Sequence, residues 1–132
     1  MHPYLRAYLS GIALPTMVIP FVILILSIAG PTSHDFHIED VVIFPIGLVP
    51  NAWGLWNMLF VWVQRRREIP VGVHGALLAV VIAPLAYSVQ LALGKMIWTT
   101  ELFAIGFPIS IVAYYLAWKL VVGRLNNLLG VG

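Results

Sequence analysis

Gln64-Arg65-Arg66-Arg67-Glu68-Ile69-Pro70 interrupts the chain near its middle, between two runs free of Asp, Glu, Lys and Arg, residues 41–63 and 71–93. Each run reaches the about 20 residues a helix needs to cross roughly 30 Å of hydrocarbon. The gap is short, so the two helices are expected to be antiparallel neighbours. Working outward, residues 11–29 and 102–122 give two more such runs, and the gaps and tails hold nearly all the charge. The pattern predicts an all-α integral membrane protein, a four-transmembrane-helix bundle forming one domain over residues 1–132.

Composition points the same way. Of 132 residues, 61% are apolar and 9% charged, against about 25% charged in an ordinary soluble domain. A small soluble domain leaves much of its surface wet and has no room to hide this much apolar area. Soluble enzymes, nucleic-acid binders and disordered tails are excluded on that ground. The net charge of +2 is too small for a nucleic-acid footprint, and without cysteine there is no disulfide, thiolate metal site or cysteine nucleophile.

The charges also predict an orientation. Arg6, the Arg65, Arg66 and Arg67 turn, Lys119 and Arg124 fall on one side of a four-span layout; Asp35, Glu39, Asp40, Lys95 and Glu101 fall on the other. Lys/Arg excess marks the cytoplasmic face. Both termini are therefore expected in the cytoplasm, with the chain in the cell (inner) membrane. The arginine turn reads first as this topology determinant and second as a contact to anionic lipid. Tyr4, Tyr8, Trp62, Trp98 and Trp118 sit where interfacial aromatic belts form. Ser27-Ile28-Ala29 at the end of the first run has the small residues of a signal-peptide cleavage site. The run is longer than such a signal and carries Pro20, which favours an uncleaved first helix.

The two halves share a register. Gly11, Leu14, Pro20 and Gly30 recur 64 residues later as Gly75, Leu78, Pro84 and Gly94, and Phe44-Pro45-Ile46 recurs as Phe107-Pro108-Ile109 at a shift of 63. This predicts two tandem, parallel two-helix repeats, 1–64 and 65–132. Each predicted span contains a proline (Pro20, Pro50, Pro84 and Pro108), and proline kinks a helix by removing one intrahelical bond.

No acid or base stands at the centre of a span, which argues against ion-coupled transport. The uncharged polar residues are the candidates that remain. Asn51, Ser110 and Tyr114, with Pro45 and Pro108, are expected to form a midplane polar site. Asn57 and His74 lie at similar depth and are expected to hydrogen-bond across the hairpin. Gly75, Ala79 and Ala83 recur every four residues and should let another helix approach closely. Trp53 and Trp56 are read as core packing, and the tail from Asn126 as a frayed end. In the outer loop His34, His37 and Glu39 are plausible ligands for a divalent metal by donor type alone. No other cofactor is expected.

Three functions follow. The leading one is a packing, accessory or homo-oligomeric membrane subunit without a catalytic site, with lipid and other membrane subunits as partners. A small passive transporter or channel using the midplane site is the alternative, and a metal-binding protein using the outer loop is the third.

Overall fold

The computed structural model describes residues 1–29, 47–92, 94 and 99–131. All of its regular structure is helical. Four rods run in sequence: α1 (Pro3–Ala29), α2 (Val49–Gln64), α3 (Val71–Ala92) and α4 (Thr100–Ala117). The last continues through a π turn, Trp118–Val122, into the short helix α5 (Gly123–Leu128). Three stretches are long and apolar enough to cross a membrane: Pro3–Ile25, Val71–Val89 and Thr100–Leu128. Helix α2 has 16 residues, and residues 41–46 of the expected span at 41–63 lie outside the described residues, as does residue 93.

Two boundaries move outward from expectation. α1 starts at Pro3 rather than near residue 11, and the fourth rod ends at Leu128 rather than near 122. The apolar runs mark only the part of a helix that sits in hydrocarbon. Backbone bonding carries the helix on through its polar ends. Proline suits the first helical position because its missing N–H would lack a partner there anyway.

The ends have identifiable stops. The N–H groups of Arg66 and Arg67 donate to the Val63 carbonyl at 2.8 and 2.9 Å, and the Gln64 side chain accepts from the Ile69 N–H at 3.3 Å, which closes the turn between α2 and α3. Thr99 caps α4 by accepting from the Leu102 N–H at 3.3 Å. Glu101 in the first turn adds a charge of the sign that a helix N-terminus favours. At the C-terminus Gly130 adopts φ +63°, Gly130 N–H bonds the Asn127 carbonyl and Val131 N–H bonds the Asn126 carbonyl. That pair of bonds around a left-handed glycine is a Schellman stop. The segment from Asn126 is therefore an ordered cap and not the frayed end expected.

Pro15, Pro20, Pro84 and Pro108 lie inside their helices, whereas Pro50 stands in the first turn of α2 and breaks nothing there. Pro45 lies outside the described residues.

α1 packs mainly on α2, and α3 mainly on α4, as two antiparallel hairpins. Between hairpins the described contacts gather at the arginine-rich end, where α1 meets the π turn and α5, and α2 meets α3. The buried side chains sit toward that end too: Ala7 and Ser10 on α1, Trp53, Asn57 and Phe60 on α2, Leu78 on α3, and Trp118 and Val122 in the π turn. Beyond it Met17, Phe21 and Ile25 on α1 and Ile105, Ile109 and Val112 on α4 are exposed, as suits side chains that face lipid. No residue of α4 before Trp118 is buried.

Candidate functional site

A polar knot holds the hairpins together at the arginine-rich end. Ser10, Asn57 and Asn126 are all but fully buried. The Asn57 amide N–H₂ faces three acceptors: the Ala7 carbonyl at 2.7 Å, Ser10 Oγ at 2.7 Å and Asn126 Oδ1 at 2.8 Å. Asn126 Nδ2 donates back to Asn57 Oδ1 at 3.0 Å, and the Ser10 hydroxyl donates to Asn126 Oδ1. Every side chain of the knot thus has a partner, which makes burying it tolerable. Just outside, Arg6 donates through Nη1 to the Leu129 carbonyl at 2.8 Å, fastening the C-terminal cap to α1.

The expected Asn57–His74 bond is not formed. Asn57 points from α2 toward α1 and α5. Trp56, about 100° further round the helix, faces α3 instead. There the Trp56 Nε1–H donates to the His74 carbonyl at 2.9 Å, and His74 Nε2 lies 3.2 Å from the Trp56 carbonyl, to which it must act as donor. The His74 ring is boxed by Trp56 and Phe60, both with centroids at 5.1 Å, and by Trp118 at 5.7 Å. Equal depth was readable in the sequence; facing direction was not. Trp118, placed by its position at an interfacial belt, is fully buried in this block.

The residues expected to share one midplane site are separated. Asn51 belongs to the α1–α2 hairpin. Its Oδ1 accepts from the Tyr8 hydroxyl, and its Nδ2 donates to the Gly47 carbonyl at 2.6 Å. With Ile12, Pro15, Thr16 and Pro20, the pair lines a half-open notch of about 260 Å³. Ser110 belongs to the other hairpin, where its hydroxyl is spent on the Phe107 carbonyl at 2.7 Å. It lines a second, mostly apolar notch of about 200 Å³ with Ala83, Tyr87, Phe103 and Phe107. Tyr114 turns inward against Trp53, with centroids 4.8 Å apart. Pro108 is exposed. The cause is helical phase. Pro50, Trp53, Gly54, Asn57, Phe60 and Val61 form the buried stripe of α2, and Asn51 stands off it.

The small-residue face of α3 packs within the chain. Gly75 lies against the Trp118 ring, Ala79 is buried, and Ala83 borders the notch shared with α4. On the first hairpin, a Cβ at Gly11 would come within 2.6 Å of the Trp53 carbonyl and 2.9 Å of Gly54 Cα. That glycine therefore marks a close approach of α1 to α2.

Sequence reasoning passed over Tyr8, Ser10, Thr16 and Asn126 as site residues. The available signal was that polar side chains within apolar helices seek partners in protein; Ser10 and Asn126 stand in such surroundings.

Among the described residues no three His, Cys, Asp or Glu side chains gather as a metal site would need. His34, His37 and Glu39 lie outside the described residues. No family model, curated protein or solved structure matches the chain. Its chemistry has to be read from its own geometry.

Proposed function

We propose that this chain is a non-enzymatic, multi-pass membrane subunit that works by packing against a second copy of itself through the outer face of α1 and α2. The observation that carries the reading is the notch around Tyr8, Asn51 and Thr16. Thr16 lies ten residues beyond Arg6, about 15 Å at 1.5 Å per residue, close to the middle of a hydrocarbon layer roughly 30 Å thick. Asn51 and Thr16 are nevertheless exposed, and no described residue closes over them. Asn51 keeps an amide hydrogen after its bond to Gly47, and the Tyr8 and Thr16 oxygens keep lone pairs. Lipid satisfies none of these. A two-fold partner presents the same patch in return, and a primary amide complements itself.

The filled interior supports the same reading. Trp53, Phe60, His74 and Trp118 occupy the region where the two hairpins meet, and Asn51 and Ser110 open on different hairpins instead of lining one passage. The two hairpins are read as related copies with both termini in the cytoplasm. What supports the duplication is that Gly11 and Gly75, 64 residues apart, each stand where the paired rod comes close, Gly11 against Gly54 and Gly75 against Trp118.

Purified protein in mild detergent is expected to give a dimer by native mass spectrometry and cross-linking. Asn51→Leu should weaken association about 3- to 30-fold, the worth of an interhelical polar contact of roughly 0.6–2 kcal/mol. A monomer at every concentration, or an Asn51→Leu protein that associates like the wild type, overturns the reading.

A further inference from the structure

The geometry points to a binding surface for anionic phospholipid headgroups at the arginine-rich end, assembled from all parts of the fold. Every Lys and Arg among the described residues is carried there: Arg6 on α1, Arg65, Arg66 and Arg67 in the turn after α2, Lys119 in the π turn and Arg124 on α5. The fold brings these together because Gly123 meets Val71 and the Leu129 carbonyl meets Arg6, so the C-terminal cations stand level with the arginine turn. Of the chain's five carboxylate side chains, only Glu68 belongs to the described residues at this end, and it is exposed. Among the described residues at this end the cations therefore outnumber the carboxylates, and the cluster carries a surplus of positive charge.

Aromatic rings set the height of the charges. Arg65 lies over Tyr4 at 5.6 Å, Arg66 over Trp62 at 4.8 Å and Lys119 over Tyr115 at 5.7 Å. Each ring favours the boundary between hydrocarbon and water, and each cation on its long stem reaches outward from it. That is the level of lipid phosphates. A ring also leaves the cation's outward side open, where a carboxylate partner would have neutralised it. Arg6 is directed elsewhere: its guanidinium serves the Leu129 carbonyl, so Arg65, Arg66, Arg67, Lys119 and Arg124 form the surface that receives the headgroup.

The test compares wild type with Lys119→Gln/Arg124→Gln, which leaves the arginine turn in place to set orientation, and with Arg65→Gln/Arg66→Gln/Arg67→Gln. Each is reconstituted in bilayers of mixed phosphatidylcholine and phosphatidylglycerol, extracted gently, and its retained lipids are counted by native mass spectrometry. Wild type is expected to retain phosphatidylglycerol preferentially, and each charge removed should cut that preference about fivefold. A triple Arg→Lys variant should keep it, because charge rather than guanidinium shape is what the surface supplies. Equal retention of the two lipids by wild type overturns the proposal. So does an unchanged preference in Lys119→Gln/Arg124→Gln, a variant whose changes lie on exposed side chains.

Discussion

Asn57→Leu is expected to destabilise the folded protein by about 2 kcal/mol, the cost of stranding buried polar groups. Asn57 is the common member of the knot. Its loss leaves Asn126 Nδ2 without its acceptor and removes one donor from each of Ala7, Ser10 and Asn126. The expected effect exceeds the roughly 0.6 kcal/mol average for a polar contact between membrane helices because one side chain serves three elements at once. Leucine has the same number of side-chain heavy atoms in a similarly branched shape and leaves no cavity, and the double variant separates lost hydrogen bonding from the bulk of the added methyl groups. Unfolding in mixed micelles, followed by circular dichroism, measures it. The double variant Asn57→Leu/Asn126→Leu removes donors and acceptors together, and should cost less than the sum of the singles by about 1 kcal/mol or more. Strict additivity would show that the two amides act independently, and the knot would then have no standing as a unit.

That knot shows what could be read beforehand and what could not. Helix α3 was predicted at 71–93 and runs Val71–Ala92; the stop of α2 at Gln64 was equally plain, since the arginine turn follows at once. Apolar length and charge placement are one-dimensional signals, and a bilayer responds to them directly. Facing direction is different. In a soluble helix an apolar stripe names the buried side, but here exposed Phe21 and buried Phe60 are both apolar, so periodicity carries little contrast. Polar and very small residues are what remain to mark the interior. Asn57 and His74 are interior polar groups, yet Asn57 bonds α1 and α5 while His74 bonds Trp56, the residue beside Asn57 on α2, because spacing along one helix does not say which side chain lies across from it. Asn126 was discounted for lying near the end of the sequence, whereas the Schellman stop and the Arg6 bond make that end part of the core. The π turn at Trp118–Val122 has no signature in local composition that we can name.

Gly75→Ala is the smallest change with a large expected effect. A Cβ there would overlap the Cβ, Cγ and Cδ1 atoms of Trp118, so one of the two must move. The tryptophan has nowhere close to go. It is fully buried, with Trp53 at 5.6 Å, His74 at 5.7 Å and Phe60 at 6.5 Å around it. Forcing an extra carbon into such packing costs typically 1–3 kcal/mol and sometimes more, and the upper part of that range is expected here. Trp118 also begins the π turn that delivers α5 and Asn126 to the knot, so its displacement should loosen the junction between hairpins as well as α3 from α4. Gly123→Ala is the matched control. Its Cβ would meet the end of the Val71 side chain at 3.1 Å and the Trp118 carbonyl at 3.4 Å, contacts that a small shift relieves. In the same micelle unfolding assay Gly75→Ala should fall well below Gly123→Ala, and Gly75→Ala/Trp118→Leu should recover part of the loss by vacating the space. Equal stability of the two alanine variants would mean that α3 and α4 do not meet at Gly75, and the packing of the second hairpin would have to be redrawn.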